Sequence, residues 1–243
     1  MFSVIVCSIS PAKFTAVEAM YKASFGEEPW EMIGIHDALS LAEGYNRGID
    51  RSRGDLVVFS HDDVEVLSPQ LPERLKAYLT TFDLIGVAGT DKLTNALWIA
   101  AGPPHIFGQI AHTRPDGLIE IARYGTPHSA AGIQAMDGVF LAARRSLVAQ
   151  LRFDAETFDG FHLYDVDFTH TAFLKGYKLG VVPGVHLLHQ SIGTLNASWP
   201  RLAARFQLKR FDGKPGDFDR AAVRWLTKTV RSRQEAELAM CSL

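Results

Sequence analysis

The run Gly54-Asp55-Leu56-Val57-Val58-Phe59-Ser60-His61-Asp62-Asp63-Val64 carries two adjacent carboxylates out of an apolar stretch. Four consecutive apolar residues, Leu56 to Phe59, read as a strand buried on both faces, so Asp62 and Asp63 emerge at its C-terminal edge. Ligands of open α/β sheets bind at that edge. Neighbouring carboxylates repel unless a cation or a hydroxyl-rich ligand compensates them, and hard divalent ions such as magnesium or manganese prefer oxygen donors. The chemistry this suggests is the holding of a metal-bound diphosphate.

Two further groups bear on it. Asp165-Val166-Asp167 opens a helical stretch, and Val185-His186-Leu187-Leu188-His189 ends an apolar one with a histidine. Each has a plainer explanation when taken singly. A carboxylate pair after a strand often only makes a turn, and a carboxylate in a first helical turn offsets the helix dipole. A histidine at a strand end is more often structural than a ligand, unless a carboxylate faces it. His189 leaves its strand into the polar Gln190-Ser191 and is the first choice of the two histidines; alternation puts His186 three residues short of the edge.

The elements that must position these residues alternate. Val4 to Cys7 reads as a strand, and Ser10-Pro11 starts a helix over Ala12 to Ser24 with a capping hydroxyl and a proline in the first turn. Met32 to Ile35 is a second strand, Leu39 to Ile49 a helix, Leu56 to Phe59 a strand, Pro69 to Thr81 a helix and Leu84 to Ala88 a strand. This alternation predicts a Rossmann-like, mostly parallel sheet flanked by helices on both faces. From Gly102 to Ala135 it breaks into glycine, proline and isolated strands, the mark of a binding loop or a small antiparallel insert that shapes the substrate pocket. Met136 to Ala142 reads as a strand, Arg144 to Leu151 and Tyr164 to Lys175 as helices, and Leu179 to Val182 as a strand. Asp219 to Met240 reads as an amphipathic helix bearing Arg220, Arg224, Arg231 and Arg233.

The chain has 243 residues, 47% hydrophobic, which fits one large domain with a full core. We divide it into a first half (1–101), a second half (102–193) and a C-terminal helical tail (194–243). A net charge of −2 gives no general case for binding nucleic acid or anionic lipid, so any phosphate must be held locally. Cys7 and Cys241 are too few for a disulfide framework and suit a reduced, cytoplasmic setting. The apolar opening Phe2 to Ile9 is too short for a membrane span. The arginine-bearing tail could rest on a membrane surface or a second subunit, although a solvated face explains it more simply. Trp98, in the apolar run Ala96 to Ala101, reads as core; Trp199 and His105, His112, His128, His162 and His170 receive no role.

From Val4 to about Gly193 the chain resembles the family 2 glycosyltransferases of GT-A fold, within them the short glycosyltransferase-like group. The resemblance rests on Gly44-Tyr45-Asn46-Arg47-Gly48-Ile49, Arg53-Gly54-Asp55, His61-Asp62-Asp63-Val64, Asp137-Gly138 with Ala143-Arg144-Arg145, Phe158-Asp159, Tyr164-Asp165-Val166-Asp167, Gly176-Tyr177 and His189, in that order. It implies an α/β GT-A domain that moves a sugar from a nucleotide-diphosphate donor to an acceptor hydroxyl on a glycan or lipid-linked acceptor, with inversion, in surface or secreted polysaccharide synthesis. It also implies that 1–101 is the nucleotide-binding half and 102–193 the donor-sugar and acceptor half, and it implies residue roles. Ser8 and Asp37 would contact base or ribose, with Asn46 on the helix beside them; Asp62 and Asp137-Gly138 would meet the ribose or donor sugar. Asp63 and His189 would hold manganese or magnesium, and Asp165 would be the general base, with Asp167 as the alternative. This chain departs from the common pattern at Tyr164, where many relatives have glutamate, and at His61, where the metal motif often begins with aspartate. Two rival functions are a nucleotidyltransferase of related fold, disfavoured because Ser8 to Lys13 lacks glycine, and a non-catalytic nucleotide-sugar-binding module.

Overall fold

A computed structural model describes residues 1–125, 129–191, 196–214 and 225–241. In chain order the elements are β1 (Phe2–Cys7), α1 (Pro11–Phe25), β2 (Trp30–Ile35), α2 (Leu41–Arg51), β3 (Leu56–Ser60), β4 (Val64–Val66), α3 (Leu71–Thr81), β5 (Leu84–Gly86) and β6 (Ala88–Thr90). A 3₁₀ turn at Trp98–Ala101 precedes β7 (Ile106–Thr113), β8 (Ile119–Arg123), β9 (Ala130–Ala131), β10 (Ala135–Met136), β11 (Phe140–Arg144), α4 (Arg145–Val148) and α5 (Tyr164–Leu174). The chain then continues through β12 (Leu179–Val181), β13 (Leu187–His189), α6 (Trp199–Phe211), β14 (Leu226–Val230) and α7 (Arg233–Cys241).

The central sheet runs β2-β1-β3-β11-β5-β12-β9. β2, β1, β3, β5 and β12 share one direction, while β11 and β9 oppose their neighbours. Alternation along β1 shows how both faces are covered. Phe2, Val4 and Val6 pack with Val17, Tyr21 and Phe25 of α1 and with Leu71, Leu75 and Leu79 of α3. Ile5, one position out of phase, packs with Ala42, Tyr45 and Ile49 of α2 and Phe168 of α5 on the opposite side. A period of two thus divides one strand between two cores. α2 lies close to β1 because it carries glycine at the contact: a Cβ on Gly44 would sit 2.5 Å from the Cys7 sulfur, and one on Gly48 would strike Ile5. Its start is capped by the Ser40 hydroxyl, which accepts from Glu43 N–H at 3.1 Å, while Glu43 reaches back past the cap to accept from Leu39 N–H at 3.2 Å.

The irregular stretch after Gly102 supplies β7, β8 and the start of β10 to a second sheet, β10-β6-β7-β13-β4, extended by the antiparallel ladder β7-β8-β14. Three expectations need correction. The strand beginning at Leu84 is interrupted at Val87, so β5 serves the central sheet and β6 the second one. The strand placed over Met136 to Ala142 is split, with Asp137 to Val139 forming a turn between β10 and β11. The single helix expected over Asp219 to Met240 is instead a strand and a helix, since Leu226 to Val230 pairs with β8 before α7 begins at Arg233. β-Branched Thr227, Thr229 and Val230 suit that ladder better than a helix. Arg220, Arg224, His128 and Gly193 lie outside the described residues. Among the described residues, no helix is long and apolar enough to cross a membrane.

Candidate active site

β3 leaves the central sheet at Ser60, and the chain enters the second sheet as β4 at Val64, so His61, Asp62 and Asp63 span the junction. Two antiparallel pairings hold this motif. On one side Phe140 of β11 faces Ser60, and His61 N–H donates to the Val139 carbonyl at 3.2 Å. On the other, His189 of β13 faces Val64, and Gln190 N–H donates to the Asp63 carbonyl at 2.8 Å. Backbone register therefore brings both the Asp137-Gly138 turn and His189 against the same three residues.

His189 Nε2 lies 3.0 Å from Asp63 Oδ1, and His61 Nδ1 lies 3.4 Å from His189 Nε2. The three potential ligand atoms of His61, Asp63 and His189 fall within 4.8 Å of one another. Burial opposes the charge on Asp63, yet the hydrogen bond from His189 and the charges of His189, His61 and Lys13 hold its carboxyl well below the usual range. Burial, then the neighbouring His189, pushes the His61 pKa down, so its imidazole is neutral near pH 7 and keeps a lone pair. These donors fit a divalent ion. Bonds of about 2.0–2.2 Å to nitrogen and oxygen place ligand atoms about 3–4.4 Å apart around one ion, and the two printed separations fall in that span.

Lys13 Nζ sits 3.5 Å from Asp63 and 3.7 Å from Asp62, and the Ser8 hydroxyl donates to Asp62 Oδ2 at 2.6 Å. Ser8, Lys13, Asp62, Asp63, Asp137 and His189 all line one cavity of about 780 Å³.

Asp165 enters the same cavity from the first turn of α5. Gly138 N–H donates to its Oδ2 at 2.7 Å. Burial first, and then the negative Asp137, push its carboxyl up to about 7, against hydrogen bonds from the Val166 and Gly138 N–H groups. A carboxylate so tuned can take a proton at neutral pH. Asp137 itself is fixed by the Trp98 indole N–H at 3.2 Å and by Val139 N–H at 2.9 Å. Glycine is required between them, because a Cβ at position 138 would lie 2.6 Å from Asp165 Cβ and against the Tyr164 hydroxyl. Leu163, at φ 65°, turns the chain sharply into α5 in a left-handed conformation that non-glycine residues rarely adopt.

The remaining sequence candidates lie elsewhere. Asp167 is 1% exposed and turned into ion pairs with Arg210 and Lys209 of α6, the latter at 2.9 Å. The Asn46 amide accepts from Phe153 N–H at 3.0 Å and donates to the Phe153 carbonyl at 2.8 Å, tying α2 to a distant loop. Asp37 is exposed and held by Arg47 at 2.7 Å, which keeps its carboxyl low. Neither Asn46, Asp37 nor Asp167 lines the cavity. His186 is buried, with Nε2 2.8 Å from the Pro183 carbonyl and Nδ1 near Cys241. Conversely, His61, Lys13, Trp98, Phe161 and Trp199 line the cavity without having been singled out for it. Only His61 carried a signal, its place at the head of the acidic motif.

The architecture is that of the GT-A glycosyltransferases. A mannosyltransferase from Pyrobaculum calidifontis, PcManGT, solved with GDP-Man and Mn2+, superposes with a TM-score of 0.51 at 12% identity, over 87% of this chain and 63% of that one. TarS residues 1–349 from S. aureus align with a TM-score of 0.44 at 10% identity, over 87% of this chain and 72% of that one. No curated protein matches the chain. Residues 3–200 match the model of the Glycosyltransferase like family, and the chain belongs to that family.

Proposed function

We propose that this glycosyltransferase-like protein moves a sugar from a nucleotide-diphosphate donor to an acceptor hydroxyl, with inversion and with the help of a divalent metal. The observation that carries the reading is one cavity that holds a metal-competent cluster, His61, Asp63 and His189, together with a carboxylate raised to about 7, Asp165. The mannosyltransferase neighbour, solved with a nucleotide sugar and manganese, supports the same class of ligands.

Asp63 and His189 would hold the ion, with Lys13 beside them as a further positive charge. A bound divalent ion supplies positive charge against the diphosphate that departs. Ser8 orients Asp62, which faces the donor's ribose or sugar, and Asp137-Gly138 shapes the wall opposite. Asp165 accepts the acceptor's hydroxyl proton while that oxygen attacks the anomeric carbon; the Gly138 N–H holds one carboxylate oxygen and leaves the other to take the proton. Attack opposite the leaving group inverts the anomeric configuration. Trp98, Phe161 and Trp199, which line the cavity, support an acceptor with a sugar or apolar face.

The test is a thermal-shift screen of nucleoside diphosphates and nucleotide sugars with and without manganese. A ligand at a hundred times its Kd stabilises the chain by about 2.7 kcal/mol, a clear rise in Tm. The rise should require manganese and vanish in Asp63→Ala. If no nucleotide sugar raises Tm in the presence of manganese, the donor reading is wrong.

A further inference from the structure

We propose that His61 is a third protein ligand of the metal, offered through Nδ1 and oriented by the Tyr164 hydroxyl, and that this set favours transition ions over magnesium. The assignment rests on the metal-dependent reading above and adds a ligand, its positioning residue and an ion preference to it.

The tautomer follows from the hydrogen bonds around one phenol. The Tyr164 hydroxyl lies 2.9 Å from His61 Nε2 and 3.3 Å from the Gly138 carbonyl oxygen. A phenol carries one proton at neutral pH, so it has one to give. A carbonyl only accepts, so for both contacts to be hydrogen bonds the proton goes to Gly138. The phenol oxygen then accepts, and the donor must be Nε2–H of His61. A neutral imidazole protonated at Nε2 carries its lone pair on Nδ1. Nδ1 is the atom that faces His189 Nε2 at 3.4 Å, inside the cluster with Asp63.

The phenol is itself held firmly. Its ring packs against Tyr45 and Phe153, at centroid separations of 5.7 and 6.1 Å, and the Tyr45 hydroxyl is tied to the Ser60 carbonyl at 3.2 Å. Gly138 is itself held through its N–H, which donates to Asp165 Oδ2 at 2.7 Å. An imidazole whose outer nitrogen is bonded in this way is the usual arrangement of a metal-bound histidine, and losing such an outer partner weakens metal binding about 10–100-fold. Two imidazole nitrogens and one carboxylate oxygen suit first-row transition ions, whereas magnesium strongly prefers oxygen ligands.

The experiment uses the full chain and the metal alone, with no nucleotide or acceptor. Manganese affinity is read from the EPR signal of the free ion, and pulsed EPR on protein carrying 15N-histidine counts the coupled imidazoles. Two coupled imidazoles are expected in the native chain and one in His61→Ala, with manganese binding weakened about tenfold or more. Tyr164→Phe should retain both imidazoles, weaken binding by a similar factor, and lose the Nε2–H form of His61 in 15N NMR of the metal-free protein. Magnesium should displace manganese only in more than about tenfold excess. A single coupled imidazole in the native chain overturns the assignment and leaves the two-ligand metal reading standing; that measurement needs no variant to fold. Equal displacement by magnesium overturns the ion preference. A native chain that binds no manganese overturns this assignment and the metal part of the proposed function together.

Discussion

Asp165→Asn should stabilise the protein, and by an amount that depends on pH. Burial and Asp137 push the Asp165 carboxyl from an ordinary 3.8 up to about 7. Between those values the folded chain holds a proton that the unfolded chain has released. Stability from this group is therefore complete below about pH 4 and declines as pH rises through 7. About three pH units at about 1.4 kcal/mol each set a ceiling of about 4 kcal/mol. Asp165 keeps an opening onto the cavity, and water there trims the effect, so about 2–4 kcal/mol is expected at pH 8. Asparagine keeps an oxygen for Gly138 N–H and carries no charge. Urea unfolding of both proteins in one salt, at pH 4.5 and pH 8, measures it. The variant should gain little at the lower pH and most at the higher, while sugar transfer falls about a hundredfold or more because amide nitrogen cannot take the proton. A stability difference that is flat across pH refutes the reasoning, whatever happens to activity.

Arg210→Met leaves Asp167 buried with Lys209 as its remaining cation, and should lower unfolding stability by about 3 kcal/mol in denaturant titration. Gly138→Ala forces the first turn of α5 away from the cavity; transfer should fall about a hundredfold with an unchanged circular dichroism spectrum. Asn46→Ala breaks two hydrogen bonds to the Phe153 backbone and should reduce stability by about 2 kcal/mol, without altering the Kd for a nucleotide sugar by calorimetry.

The first three strands were the readable part because helix-capping residues follow the first two, at Ser10-Pro11 and Ser40. Leu56 to Phe59 declared its burial by having no polar face, and Asp63 and His189 declared their edge positions by ending apolar runs. The chain after Gly193 was harder. No separate helix was expected over α6, and the arginine spacing from 220 to 233 imitates an amphipathic helix across residues that include β14. Only Val230 of β14 is buried, so its strand state comes from the partner β8 and not from its own hydrophobicity. Pairings across long separations were equally out of reach. Asn46 meets Phe153 over 107 positions, and His61 meets Tyr164 over 103. Nothing local announces either, although His61 and Tyr164 were already the two places where the chain departs from the common pattern.

The clamp that α6 places on Asp167 bears on where a working fragment can be cut. The family match stops at residue 200, and Lys209 and Arg210 lie beyond it. A truncation at that border would strand a carboxylate in the interior two residues from Asp165, at the root of the same helix. The sequence border recognised by likeness is thus not the border of the cooperative unit. Anyone expressing, grafting or recombining this domain should carry it at least through Phe211, where α6 ends.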